Sequence, residues 1–162
     1  FYVCKVRVDT MSTAHFVGAL FDLYDWSVQH GGENVRVWIE NNSLQAPFYE
    51  QVLQPAIFAE SHRRGALLPV VPDTRDKKDK YTRIEGTLEP LNRAGLLVFN
   101  ADESGDPDMQ RMKAQMRNVS PKQKRMDGPD MLEGGVWLLK QSAALRASEG
   151  VYFVKRSNKK KI

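Results

Sequence analysis

The chain has 162 residues, 41% of them hydrophobic and 27% charged, which suits one soluble domain with a single sizeable core. No apolar run approaches the roughly 20 residues that span a bilayer, and no signal-peptide pattern is present. The single cysteine, Cys4, excludes an internal disulfide and a cysteine-based zinc site, so a reducing cytoplasm is expected. The net charge of +4 is concentrated at one end: the last twelve residues, "VYFVKRSNKKKI", carry five Lys and Arg and no acid. Such a tail reads as a solvated terminus or as a contact for nucleic acid.

The opening "FYVCKVRVDT" has no Met and starts inside an alternating pattern, which predicts a strand over 1–9 and reads as a piece of a longer protein. Ser12 or Thr13 can cap a helix whose apolar residues Phe16, Val17, Leu20, Phe21, Tyr24 and Val28 recur at helical spacing, ending at His30-Gly31-Gly32. "NVRVWIE" is the next strand. "APFYEQVLQPAIFAESHRRG" reads as a helix that Pro55 must break or kink. A short strand is expected at 66–71, then a charged loop, a short helix ending at Gly95, and a strand in "LLVFN". Asp106 is placed to cap the helix in "DPDMQRMKAQMRNV", and "DMLEGGVWLLKQSAALRA" is the last helix. Strands alternating with helices imply an α/β fold with a largely parallel sheet. Residues 1–148 form the domain and 149–162 a basic tail.

Ligand sites in open α/β sheets lie at the carboxyl ends of strands. Glu40, which ends "VRVWIE", stands at such a place. Asp127 and Asp130 bracket Gly128-Pro129 at the start of the last helix. Capping accounts for either Asp alone, but two of them are more than a cap needs. With Glu40 they make a candidate site for a hard divalent cation, Mg²⁺ or Mn²⁺, which prefers carboxylate oxygen. Arg75, Lys77, Lys78, Lys80 and Arg83 cluster in "RDKKDKYTR", and Lys124 and Arg125 shortly precede the Asp pair. Each cluster is either a solvated surface or a phosphate contact. Trp26, Trp38 and Trp137 are expected to pack in the core, as is the Met109, Met112, Met116 stripe. Cys4 is expected to be inert, and the three scattered His have no metal-ligand spacing.

Three segments carry a resemblance: "VWIENN…Q" (Glu40, Asn41, Gln45), "KYTRIEGTLEPLNRAGLLVF" (Lys80, Arg83, Ile84, Leu88, Pro90, Leu91, Gly95, Phe99) and "MDGPDML" (Asp127, Asp130). Together they resemble the nuclease domain of the large terminase subunit of tailed bacteriophages, over residues 1 to about 145. The resemblance implies an RNase H-like mixed sheet flanked by helices. It also implies two Mg²⁺ or Mn²⁺ ions on Glu40, Asp127 and an upstream Asp, with Asp130 either completing the site or supporting the helix, and cleavage of double-stranded DNA with little sequence preference. Its implied partners are an upstream packaging ATPase domain in the same polypeptide, the portal and the small terminase subunit, in the cytoplasm of a bacterial host. Lys77, Lys78, Lys80, Arg83, Lys124 and Arg125 would then bind DNA. Met126 replaces the first Asp of the family's last motif. The family's first catalytic Asp, in a "D-P-small" context, has no match here; Asp9 is the sole stand-in, and the Asp-bearing strand is expected upstream of Phe1. A fragment without it would cut slowly or not at all. Another RNase H-like nuclease, such as a junction resolvase, and a non-catalytic DNA- or partner-binding module are the competing readings.

Overall fold

Ser12 starts the first helix, its hydroxyl accepting the backbone N–H of His15 at 3.3 Å. Helix α1 (Thr13–Gln29) follows in the computed structural model of the chain and buries Val17 and Phe21. The structure describes residues 1–31, 34–41, 46–73, 75, 77 and 79–148. Asn42, Gln45, Lys78 and the tail 149–162 lie outside the described residues.

The strands are β1 (Tyr2–Val3), β2 (Val37–Glu40), β3 (Val70–Asp73) and β4 (Val98–Phe99). The molecule is mixed α/β, and the strand pairs are parallel as expected. The single mixed sheet is not formed: among the described residues, β1 pairs with β4 and β2 with β3 in two separate two-stranded sheets. The opening strand is also far shorter than its alternation suggests. Beyond Val3 the backbone finds side chains instead of a partner strand. Asn100 Nδ2 donates to Cys4 O at 3.3 Å, the Val8 N–H donates to Asp108 Oδ1 at 3.3 Å, and Arg111 Nε donates to Val8 O at 2.8 Å.

The predicted 46–65 helix is continuous but changes gauge. It runs as α2 (Ala46–Phe48), a π-helical turn (Tyr49–Leu53) and α3 (Gln54–Arg64). Pro55 sits in the first turn of α3, just after the Gln54 N–H reaches back to Tyr49 O. A proline ring collides with the carbonyl four residues back in a regular helix, and the wider turn relieves that contact. Gly65, at φ 65°, closes α3.

Helix α4 (Lys80–Arg93) begins four residues before the apolar pattern does, because Asp79 caps it by accepting the Thr82 N–H at 3.2 Å. Asp106 caps α5 (Pro107–Arg117) through the N–H groups of Asp108 and Met109, as its position predicts. The last helix, α6 (Asp127–Ser148), starts at Asp127 rather than Asp130.

One apolar cluster joins α1, β2, α3 and the approach to β3 through Val17, Phe21, Ile39, Leu53, Ile57 and Leu68. A second joins β1 and β4 to α5 through Val3, Val6, Leu97, Met109 and Met112. A third, with Ile84, Leu88, Met126 and Val136, locks α4 to α6. Met109 and Met112 are core, as their stripe predicts, and Met116 packs partly buried against the second and third clusters. No described helix is long and apolar enough to cross a membrane.

Candidate functional site

Parallel pairing in register sets Glu40 beside Asp73 at the carboxyl ends of β2 and β3. The Asn41 N–H extends the ladder one step, donating to Asp73 O at 2.8 Å. Both carboxylates line a cavity of about 1000 Å³ whose far wall is α6. Asp127 and Asp130 line it too, at the start of that helix. Three residues separated in sequence, Glu40, Asp127 and Asp130, thus share one cavity with Asp73.

The carboxylates meet cations from a single stretch of chain. Lys77, only 10% exposed, reaches between the strand ends, with Nζ 3.2 Å from Glu40 Oε2 and 3.5 Å from Asp73 Oδ2. Lys80 Nζ lies 2.9 Å from Asp127 Oδ1 and 3.3 Å from Asp130 Oδ2. Arg83 donates to Asp130 Oδ1 at 2.8 Å and also pairs with Glu133. Arg75 forks onto Glu133 at 3.2 and 3.1 Å, and its guanidinium lies 4.4 Å from the Trp137 ring centre. Glu133, one turn beyond Asp130, is 1% exposed.

These contacts keep Asp130, Lys80 and Arg83 ionised. Burial alone would raise the Asp130 carboxyl, but the Arg83 hydrogen bond and the charges of Arg83 and Lys80 outweigh it, and its pKa falls below the usual aspartate value. Burial pushes Lys80 down, yet the hydrogen bond it donates to Asp127 and the charges of Asp130 and Asp127 more than reverse it. Arg83 is raised the same way by Asp130 and Glu133 against the pull of burial.

Other sequence-predicted residues fall elsewhere. Asp9 does not line the cavity; it accepts the Thr10 N–H at 2.8 Å and lies 3.8 Å from Arg111. Lys77, Lys80 and Arg83 point inward to carboxylates. Lys124 and Arg125 are exposed on the loop before α6. Cys4 is exposed.

Asp73 and Glu133 escaped the sequence reading, and Arg75, read as part of the basic loop, pairs with Glu133. The signal for Asp73 was present: "VVPD" repeats the pattern of "VWIE", an apolar run closed by a carboxylate. Trp38 is not core. It is 37% exposed and faces the cavity. Trp26 stacks on His30, ring centres 4.2 Å apart.

Among the described residues, no group of three or more His, Cys, Asp and Glu is arranged to hold a metal ion. The cavity carboxylates stand as two pairs, each bridged by an ammonium. Comparison with models of known families, with curated proteins and with solved structures gives no match to this chain.

Proposed function

We propose that this chain is the metal-dependent endonuclease domain of a tailed-phage terminase large subunit, with an RNase H-like core, acting on double-stranded DNA. The observation that carries the reading is that Glu40, Asp127 and Asp130, the residues picked out by the resemblance, line one cavity. The donor chemistry fits Mg²⁺ or Mn²⁺: every candidate ligand is a carboxylate oxygen, and the Glu40–Asp73 pair already accommodates a cation, the Lys77 ammonium. Glu40 and Asp73 would hold one ion, and Asp127 with Asp130 the other. Such ions, when bound, supply an acidified water and charge stabilisation at the leaving oxygen.

The protein's own groups do the rest. Lys77 and Lys80 must release the carboxylates, and their charge is then available to the phosphate. Arg83, anchored by Asp130 and Glu133, holds positive charge at the same wall. Exposed Lys124 and Arg125 meet the backbone beside the cut. Hydrolysis forms a bond from the water oxygen to phosphorus and breaks the bond to the 3′ oxygen, which takes up a proton. Contacts to phosphate position DNA without reading bases, and binding weakens steeply with salt. The packaging ATPase, portal and small subunit are the partners that this reading brings with it.

The second reading is a DNA- or partner-binding module without catalysis. Among the described residues no three His, Cys, Asp or Glu groups gather to hold a metal, and each carboxylate pair is bridged by a lysine, which favours it. Nicking of supercoiled plasmid decides between them. With Mn²⁺ or Mg²⁺ the chain cuts, EDTA stops it, and Glu40→Ala and Asp127→Ala fall to the EDTA background. A folded chain that leaves the plasmid intact with both metals overturns the nuclease reading for this chain.

A further inference from the structure

One face of the β2 segment lines the cavity in strict alternation: Asn34, Arg36, Trp38 and Glu40. Side chains two apart on a strand stand roughly 6.6 Å apart, a step similar to that between successive phosphates of an unpaired strand. The cavity also changes character along this row. Along the strand it runs from Glu40, paired with Asp73, through Trp38 to Arg36, and α6 lines the same cavity with Asp127, Asp130, Gly135 and Leu138.

The middle of the row is open. Trp38 keeps over a third of its surface open, against the habit of a Trp to bury its ring. On α6, which lines the same cavity, a Cβ added to Gly135 would meet nothing within 4 Å, whereas one on Gly134 would meet Arg75 Nη2 at 3.5 Å and Lys77 Nζ at 3.8 Å. Arg36 is exposed and has no ion-pair partner among the described residues, unlike the arginines and lysine at the acidic end.

We infer that this row is a track for an unpaired nucleotide of a DNA strand. Trp38 stacks on the base, and the open space at Gly135 of α6 belongs to the same cavity. Arg36 binds the phosphate next to the one held at the carboxylate end. Bases inside a duplex are stacked on each other and offer no face to Trp38, so the strand that enters is locally open. The role given to the carboxylate end rests on the nuclease reading; the roles of Trp38 and Arg36 do not.

The test uses the whole chain and fluorescein-labelled oligodeoxynucleotides in EDTA, where no cutting occurs. Anisotropy is compared for a single strand, a blunt duplex, a duplex with a central unpaired stretch, and a single strand carrying abasic sites. The single strand and the opened duplex bind tighter than the blunt duplex. Trp38→Ala loses roughly five- to hundred-fold in affinity for the single strand, while Trp38→Phe keeps most of it. Abasic sites weaken wild type but leave Trp38→Ala unchanged. Arg36→Gln lowers the slope of log affinity against log salt by about one contact. Equal binding by wild type and Trp38→Ala, with both folded by circular dichroism, overturns the track, as does indifference to abasic sites. The plasmid assay separates the two ideas: Trp38-dependent binding without metal-dependent cutting removes the nuclease reading and leaves the track, and cutting with Trp38-independent binding does the reverse.

Discussion

Gly128 fixes where the start of α6 meets α5. Its N–H donates to Gln115 Oε1 at 2.9 Å, and a Cβ there would lie 2.6 Å from Met112 Sδ and 3.0 Å from Gln115 Oε1. Met112 is fully buried, so its sulfur has no empty space to move into. Gly128→Ala is expected to destabilise the fold by about 1–3 kcal/mol as overpacking, read as a lower urea midpoint at constant m-value. The flanking aspartates differ sharply. Asp127 is 82% exposed at its side chain, whereas Asp130 is clamped by Arg83 and Lys80. "DGPD" reads in sequence as a helix start with two acids, and that much is borne out. The close approach at Gly128 was not legible, because it depends on which helix passes behind it.

The segment from Arg75 to Arg83 is tied to α6 by Glu133. Two guanidiniums share this one buried carboxylate, and among the described residues neither Arg75 Nε nor Arg83 Nε, both buried, has a hydrogen-bond partner. Removing one member of a buried ionic group strands the others. Glu133→Ala is expected to cost about 3–5 kcal/mol by urea denaturation, and Glu133→Gln less, since the amide still accepts one hydrogen bond. Helices were legible in the sequence where a capping side chain announced them, as Ser12 and Asp106 did. The length of β1 was not: alternation over 1–9 describes the strand alone, while pairing needs a partner, and β4 offers two residues. The inward turn of Lys77, Lys80 and Arg83 was hidden for a related reason. A charged run looks solvated until the carboxylates of other elements are placed against it.

Across the whole molecule, a second ionic seam joins the opening segment to α5. Buried Asp108 takes Arg7 at 3.1 Å, the Val8 N–H at 3.3 Å, and Arg111. Burial pushes its carboxyl up, but hydrogen bonds from Arg111, Arg7 and Val8 outweigh it and hold the pKa below the usual 3.8. A folded-state pKa below the unfolded one means the stabilisation is complete above the ordinary aspartate value and is lost as pH falls through the folded value. The urea midpoint should therefore drop between about pH 5 and pH 3, and Asp108→Asn should remove part of that drop. An equal drop in the variant would exclude this seam as a source.

The two strand pairs also differ in how much chain each must gather. β2 meets β3 after one crossover, from Val37 to Val70, whereas β1 waits for β4, with the Phe1 ammonium and Leu96 O 95 residues apart. A loop roughly threefold longer costs about 1 kcal/mol more to close. The pair that carries Glu40 and Asp73 can thus assemble early with α1 and α3, while the opening strand docks last. The carboxylate-bearing strand ends would then be standing before the rest of the chain closes over them.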